Sequence, residues 1–376
     1  MSEPRKIVLV LGNGFDLDLG LKTRYQDFWE SDFCPRKYPA PLIAHLNGKW
    51  PENLDKVKWY DLENELLKYY YITQDSNTYT DCITEEEKSF LKGFSAYEHA
   101  CGLYNDKLDL VVSLINKGVL LYDGNILGHV DEYLKEDALK SPIWRDHKAF
   151  QLIKEGLCNY LNTIHPSRDA SSSIAFQVLA YLDEAARNNN YVNIYTFNYT
   201  RVLLNGSAPR FATVHYVHGK CEDGKIIIGT RDDQNLNEDY DFLQKSFDPS
   251  FDPPALVEDL READEVVFFG HSIGENDRQY FKAFFKQQAN DNIVKRKEIT
   301  IFTLNNDSEV QIRRALQRMT DWNLSTLYGH NTIRIIKTGN LEEDKDKLYD
   351  FLVTHGKDEI VTREFIGRLL QKNAKG

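Results

Sequence analysis

Short segments that are apolar almost throughout alternate, in the second half of the chain, with longer segments whose apolar residues recur every three or four positions. The short segments are rich in β-branched and aromatic residues, which is typical of strands that are covered on both faces of a sheet. One more segment of this kind lies close to the first residue. The predicted strands are Ile7–Leu11, Val192–Phe197, Thr213–Val217, Ile226–Ile228, Glu265–Phe269, Glu298–Leu304 and Thr332–Lys337.

Helical patterns separate several of the later strands. They cover Pro254–Ala263, Asp277–Gln288, Ser308–Met319 and Glu342–Thr354. Strands that alternate with helices predict an α/β fold, with a mostly parallel, Rossmann-like sheet and flanking helices.

The chain between the first strand and residue 190 has a different character. Thr84 and Glu87 carry the spacing of a capping box, which marks the start of a helix. Further helical patterns cover His147–Ile164 and Ser172–Arg187. We therefore predict a large helical insertion in the sheet domain.

The domain prediction has two parts. Residues 1–30 plus 190–376 form a nucleotide-binding α/β domain, and residues 31–189 form the mostly helical insertion. Ligands of open α/β sheets bind at the carboxyl ends of the strands. That the ligand is a nucleotide is implied by the resemblance of the motifs at these ends to a known family.

Composition and charge narrow the class of protein. The chain has 376 residues, of which 41% are hydrophobic, so it can bury a large core and is not disordered. Its 46 basic and 58 acidic residues give a net charge of −12, which disfavours broad nucleic-acid binding. The five cysteines are scattered and never spaced C-x-x-C, which favours a reducing compartment and argues against a four-cysteine zinc site. No apolar run approaches the length of a membrane span, and we expect a cytoplasmic protein without a metal.

A glycine-containing turn follows the first strand. It reads Gly12-Asn13-Gly14-Phe15-Asp16, and glycines at such a place allow a sharp turn and close approach of a ligand to backbone amides. Leu17 occupies the third glycine position of the dinucleotide fingerprint, so a dehydrogenase-type half is not expected. A structural turn, with Asp16 as a cap, is the alternative explanation.

Two further segments place polar residues where a predicted strand ends. One contains Thr196 and Asn198, and the other contains His215, His218 and Gly219. The two histidines are three residues apart on a strand, so their side chains point to opposite faces and do not form a metal pair. His218, at the strand end, is the better catalytic candidate.

A third segment follows the strand Glu265–Phe269. Gly270 and His271 lie directly after it and are candidates for contacting a ligand held over the edge of the sheet. Ser272 and Glu275 have the spacing of a capping box, which explains both by the start of a helix.

Five motifs in this order resemble the bacteriophage abortive-infection AbiH family. The resemblance covers roughly the first 65 residues and residues 190–280, and it makes Glu63 a candidate site residue. The motifs are Gly12-Asn13-Gly14-Phe15-Asp16 with Gly20 to Phe28, Trp59-x-Asp61-Leu62-Glu63, Thr196-Phe197-Asn198-Tyr199-Thr200, His218-Gly219-Lys220 and Gly270-His271-Ser272.

That family in turn is similar to sirtuin-like NAD-consuming domains. The resemblance implies that the loop at Gly12 and Gly14 holds the dinucleotide, that Asn198 contacts the nicotinamide ribose and that His218 acts in catalysis. Two differences stand out in this sequence. Thr200 occupies the position of an acidic residue in the Asn segment, and the zinc-binding cysteine quartet of sirtuin deacetylases is missing, which argues against protein deacylation.

The resulting hypothesis is an antiviral NAD glycohydrolase. NAD is then the substrate, Asn198 orients water or the ribose hydroxyls, and neutral His218 accepts a proton. Unregulated NAD loss would kill the host, so we expect regulation through a homo-oligomer or a partner protein of a defence system. The helical insertion is the expected sensing or assembly surface.

Two alternatives stay open at this stage. The pocket could hold NAD, ADP-ribose or a related nucleotide as a signal without turnover, which the threonine at position 200 favours. A hydrolase of nucleic acid or nucleotides could also place carboxylates around a divalent ion. The carboxylates considered for it are Asp16, Asp61, Glu63, Asp232 and Asp277.

Overall fold

A computed structural model gives the three-dimensional structure of the chain. It describes residues 4–49, 61–75, 81–94, 107–117, 119–120, 132–166, 170–293, 295–355 and 358–373. Trp59 of the second family motif lies outside the described residues, as does Cys101. Within the described ranges, no helix combines the length and the apolar character that crossing a membrane requires.

A six-stranded, all-parallel sheet forms the centre of the fold, and this confirms the predicted α/β, Rossmann-like class. The sheet strands are β1 (Lys6–Leu11), β2 (Tyr191–Thr196), β3 (Thr213–Tyr216), β6 (Glu265–Phe269), β7 (Glu298–Thr303) and β8 (Thr332–Lys337). They lie in the order β3-β2-β1-β6-β7-β8, so the chain builds one half outward from β1 and then returns to build the other.

The remaining two strands form a small separate hairpin. β4 (Gly219–Lys220) pairs antiparallel with β5 (Lys225–Ile226). The apolar segment Ile226–Ile228 was predicted as a strand of the sheet, and that assignment is wrong. Gly219 and Gly224 have φ angles of 72° and 65°, and these left-handed turns fold the chain back on itself.

Helices account for most of the other described elements. They are α1 (Asn13–Asp18), α2 (Tyr25–Trp29), α3 (Pro41–Lys49), α4 (Leu62–Thr73), α5 (Glu85–Gly93), α6 (Leu108–Asn116), α7 (Glu132–Ala138), α8 (Pro142–Thr163), α9 (Ile174–Arg187), α10 (Leu256–Glu262), α11 (Arg278–Gln288), α12 (Asn306–Met319), α13 (Leu324–His330), α14 (Leu341–Thr354) and α15 (Glu359–Asn373).

The two predicted capping boxes have different outcomes. At the start of α5, Thr84 and Glu87 each accept the backbone N–H of the other, which confirms the first box. The second is wrong, because α11 begins only at Arg278 and Glu275 pairs with Arg318 at 2.9 Å instead.

Both faces of the sheet are buried, because side chains alternate along each strand. Ile7, Leu9 and Leu11 of β1 pack into a core with α9 and α14. Val8 and Val10 face the other way and pack into a core with α10, α11 and α12. Helices on both faces explain why the strands are apolar throughout rather than alternating.

The chain divides into two compact units. The first comprises Met1–Thr23, Leu161–Ile227 and Ser250–Gly376, and it holds the six-stranded sheet. The second comprises Arg24–Tyr160 and Ile228–Pro249 and is mostly helical. Residues 161–189 therefore group with the sheet and residues 228–249 with the helices, and the functional division into domain and insertion stays a prediction.

A buried ion group lies at the amino edge of the sheet. Glu265, the first residue of β6, has no exposed surface, and its Oε2 lies 2.9 Å from Nε2 of His355 and 3.2 Å from Arg5. Nδ1 of His355 lies 2.7 Å from the Phe351 carbonyl oxygen. Both ring nitrogens thus face acceptors, which is the arrangement of the charged imidazolium. Burial alone would lower the pKa of His355, but the hydrogen bond and charge of Glu265 outweigh it and raise this pKa.

This ion group predicts a pH-dependent stability. A His355→Gln variant is expected to lose about 2 kcal/mol of unfolding free energy at about pH 6, where His355 is charged in wild type. The contribution of His355 is complete below its unfolded pKa and is lost as the pH rises through the raised folded pKa. Urea unfolding of both proteins from about pH 6 to about pH 9 measures this. A difference that grows with pH would contradict the assignment.

Candidate functional site

The carboxyl edge of the sheet has a switch point between β1 and β6. The chain leaves β1 toward β2 on one side, whereas β6 and its successors lie on the other side. Ligands of open α/β sheets bind in the crevice at such a point. The loops that follow β1 and β6 touch here, because Gly12 N donates to Phe269 O and Gly14 N donates to Gly270 O, both at 3.0 Å.

Steric constraints explain why these positions after β1 and β6 are glycines. A Cβ on Gly12 would lie 2.6 Å from the Cα of His271, and one on Gly14 would lie 2.6 Å from the Cα of Gly270. Gly270 has a φ of 62°, and a Cβ on it would lie 2.4 Å from the backbone of Gly14. The two backbones therefore pack directly on each other, which only glycine permits.

This packing limits how the loop could hold a phosphate. The backbone N–H groups of Gly12 and Gly14 already donate to carbonyl oxygens at and just after the end of β6. Phe15 N donates to Gly12 O at 2.9 Å. The side chain of Phe15 is buried and packs edge-on against Phe269. Oδ1 of Asn13 accepts a hydrogen bond from Thr23. A pyrophosphate at this loop would need other donors, so the predicted contacts of these residues with a dinucleotide stay a prediction.

Asp16, Asn198 and Thr200 form a buried hydrogen-bond network beside the loop. The Asn198 amide donates to Gly12 O and to Oδ1 of Asp16, each at 3.0 Å. The Thr200 hydroxyl donates to Oδ2 of Asp16 at 2.5 Å. Asp16 is 3% exposed, and this burial raises its pKa from 3.8 to about 7 against the opposing effect of the Thr200 and Asn198 hydrogen bonds. The carboxyl thus titrates near neutral pH.

This network accounts for the threonine at position 200. The Thr200 hydroxyl donates to a carboxylate from α1, the helix directly after β1. Asp16 therefore brings a carboxylate into contact with the Asn198 segment, although the two are 182 positions apart in the sequence.

A second polar group follows β3 and β6. Oδ1 of Asp277 lies 3.1 Å from Nε2 of His218, and Oδ2 of Asp277 lies 3.4 Å from Nε2 of His271. One carboxylate thus bridges two imidazoles. His218, Asp277 and His271 are called the His–Asp–His cluster below.

An aromatic wall places the His–Asp–His cluster next to the Asn198 network. The ring of Phe197 lies 5.2 Å from that of His218 and 4.5 Å from that of His271, centre to centre. Tyr280 packs on Phe197 at 5.5 Å. Because Phe197 is the chain neighbour of Asn198, the structure brings the predicted amide and imidazole to one region of the sheet edge.

The other predicted site residues have identifiable structural contacts. Thr196 is fully buried, and its hydroxyl oxygen accepts the backbone N–H of Asn198 at 3.1 Å. A Cβ on Gly219 would lie 2.0 Å from the Lys225 carbonyl oxygen, so the hairpin requires glycine there. Glu63 belongs to the helical unit, where it pairs with Lys245 at 3.1 Å.

Sequence reasoning gave Asp277 no role beside the histidines. Asp277 was considered only as the start of a helix and as one of many carboxylates for a metal. Asp277 lies six residues after His271, and this spacing matches no helix or strand repeat. The contact between the two side chains is therefore seen only in the folded loop. Among the residues that the structure describes, no group of three or more His, Cys, Asp or Glu side chains is arranged to hold a metal ion.

A cleft of about 590 Å³ lies at the opposite, amino edge of the sheet. Its lining includes Lys6, Asp264 and Lys295. The cations there already have partners, since Lys6 pairs with Glu262 and Lys295 pairs with Asp264. We therefore place the candidate site at the carboxyl edge.

The parallel sheet and its buried polar groups define a Rossmann-like α/β protein with a candidate ligand site at the switch point. The chain belongs to the bacteriophage abortive infection AbiH family, whose family model matches residues 8–296. Membership implies a role in abortive infection by bacteriophage. No curated protein matches the chain, and no solved structure does.

Proposed function

We propose that the chain acts in abortive infection by hydrolysing NAD at the bond between nicotinamide and ribose. The observation that carries the proposal is that Asn198 binds Asp16 at the switch point of a parallel sheet, while His218 packs against Phe197, the chain neighbour of Asn198. Dinucleotides are the ligands that this position of a doubly wound sheet commonly binds. Regulation by self-assembly or by a partner protein is part of the proposal, because free NAD hydrolysis would kill the host.

The reaction requires one bond to break and one to form. The bond between C1′ of the ribose and the nicotinamide nitrogen breaks through an oxocarbenium-like transition state, and nicotinamide leaves with the bonding electrons. The oxygen of a water molecule forms the new bond to C1′ and gives up one proton. The products are nicotinamide, ADP-ribose and that proton.

Asn198 has one atom available for this chemistry. Its two amide hydrogens bond to Gly12 O and Asp16, and Oδ1 accepts no hydrogen bond from the residues that the structure describes. In the proposal, Oδ1 accepts a hydrogen bond from the ribose or from the attacking water. Asp16 then orients the amide, and the pair formed by His218 and Asp277 provides the base for the proton of the water.

Site variants test the proposal directly. His218→Ala and Asn198→Ala are each expected to reduce nicotinamide release by a factor of about 100 or more, the usual contribution of an acid–base group. Mass spectrometry of NAD products from the purified full chain, with and without phage-infected lysate as a trigger, measures this. His165→Ala, which alters an exposed histidine, serves as the matched control. Wild-type release rates in both site variants would refute these roles.

A second candidate function is a nucleotide sensor that binds NAD or ADP-ribose without turnover. The specific observation in its favour is that the amide hydrogens of Asn198 already bond to Gly12 O and Asp16 inside the protein, which leaves only Oδ1 of Asn198 for a ligand. Calorimetric binding of NAD without nicotinamide release under any trigger would select the sensor. Release that survives EDTA would exclude the remaining metal-dependent alternative.

A further inference from the structure

The members of the His–Asp–His cluster differ in exposure. The side chains of His218 and His271 are 4% and 3% exposed, whereas that of Asp277 is 18% exposed. Phe197 and Phe281 cover the ring of His271 at 4.5 and 5.1 Å. A molecule bound at the edge of the sheet therefore reaches the carboxylate of Asp277 more easily than either imidazole.

The proton position on His271 is fixed by the loop after β6. The backbone N–H of Ile273 donates to Nδ1 of His271 at 2.9 Å, so the proton of a neutral ring lies on Nε2 and points to Asp277. Ile273 has a φ of 49°, an uncommon and strained conformation for a β-branched residue. Strain of this kind persists only where the surroundings impose it, and it concentrates at functional sites.

Asp277 is not explained by helix capping. It occupies the position before α11, where aspartate commonly accepts a backbone N–H, but its side chain makes no such capping hydrogen bond. Its two oxygens lie toward two different histidines instead. The carboxylate is thus held in one orientation by contacts that capping does not require.

From these contacts we infer that Asp277 is the catalytic residue of the cluster and that His218 and His271 are positioning residues. The inference rests on the proposed NAD hydrolysis. As the bond from the water oxygen to C1′ forms, Asp277 takes a proton from this water. It later releases the proton to solvent. The two imidazole N–H groups hold the carboxylate and stabilise its charge.

The test is steady-state nicotinamide release by the full chain over a range of pH. Asp277→Asn, which keeps the shape and removes the charge, is expected to lower kcat by a factor of about 100 or more with little change in KM. Asp346→Asn, on the exposed face of α14, is the matched control and is expected to behave as wild type. If Asp277→Asn does not fold, Asp277→Glu and Asp277→Gln provide a pair that differs only in charge.

His271→Gln separates positioning from a purely structural role. The Gln side chain keeps a donor near the place of Nε2, so part of the activity is expected to remain. The acid limb of the rate–pH profile should move to higher pH, because the amide of glutamine is a weaker donor than the imidazole and stabilises the charged form of the carboxylate less.

The outcomes are distinct. Wild-type kcat in Asp277→Asn, or a lower rate in His271→Gln with an unchanged pH profile, would overturn the inference alone. No nicotinamide release by the wild-type chain under any trigger would overturn the proposed function and the inference with it.

Discussion

A Gly270→Ala variant is expected to lose about 3 kcal/mol of stability or more, together with the geometry of the site. The new Cβ would lie 2.4 Å from the backbone of Gly14 and from the amide nitrogen of Phe15, and backbone atoms cannot move aside as a side chain can. Separating the loops would also break the hydrogen bond from Gly14 N to Gly270 O. Hydrogen exchange of peptides from β1 and β6 should show local loss of protection.

Gly206→Ala provides the matched control. Gly206 also has a positive φ, 79°, but nothing lies within 4 Å of its added Cβ. The Gly206→Ala substitution should therefore cost only the backbone strain of about 1 kcal/mol. It should leave the hydrogen-exchange protection of β1 and β6 unchanged. Equal effects of the two substitutions would show that the close contact of the loops is unimportant.

Asp16→Asn is expected to make the protein more stable at alkaline pH, by about 4 kcal/mol at most. The folded protein holds the Asp16 proton more tightly than the unfolded chain, because burial raises its pKa from 3.8 to about 7. Its contribution to stability is thus complete below about pH 4 and is lost as the pH rises through about 7. Asparagine has no proton to lose and keeps an oxygen for the Asn198 amide.

Urea unfolding of wild type and Asp16→Asn from about pH 4 to about pH 8 measures this difference. The two stabilities should be similar at the acid end and should diverge toward the alkaline end. A variant that is less stable at every pH would mean that Asp16 is a net stabilising carboxylate. A more stable variant at alkaline pH would indicate that Asp16 is retained at a cost in stability, which is common for functional groups.

The sheet was largely predictable, because strands covered on both faces must be apolar throughout. Glu265–Phe269 and Thr332–Lys337 have the predicted bounds, and β1, β2, β3 and β7 differ by one residue at one or both ends. The prediction for Ile226–Ile228 was wrong because Ile226 pairs in a hairpin and not in the sheet. Apolar character alone cannot tell which partner a short strand takes.

The site was only partly predictable. Asn198 and His218 were predicted because polar residues at strand ends stand out against an apolar background, and their catalytic roles stay a prediction. The carboxylates that they bind, Asp16 and Asp277, could not be assigned to them, because charged residues are common in an acidic chain and most lie at the surface. Only the folded chain shows that Asp16 is buried and that the carboxylate of Asp277 contacts both histidines.

The sequence by itself determined the class of fold and the family, since both follow from patterns along the chain: apolar strands, helical periods and short motifs in order. The tertiary structure decided the partners within the site. Gly14 meets Gly270, Asp16 meets Asn198 and Thr200, and Asp277 meets two histidines across separate loops. The physical reason is that a periodic pattern specifies which face of an element is buried, whereas the contacts between loops depend on how the sheet brings its strand ends together.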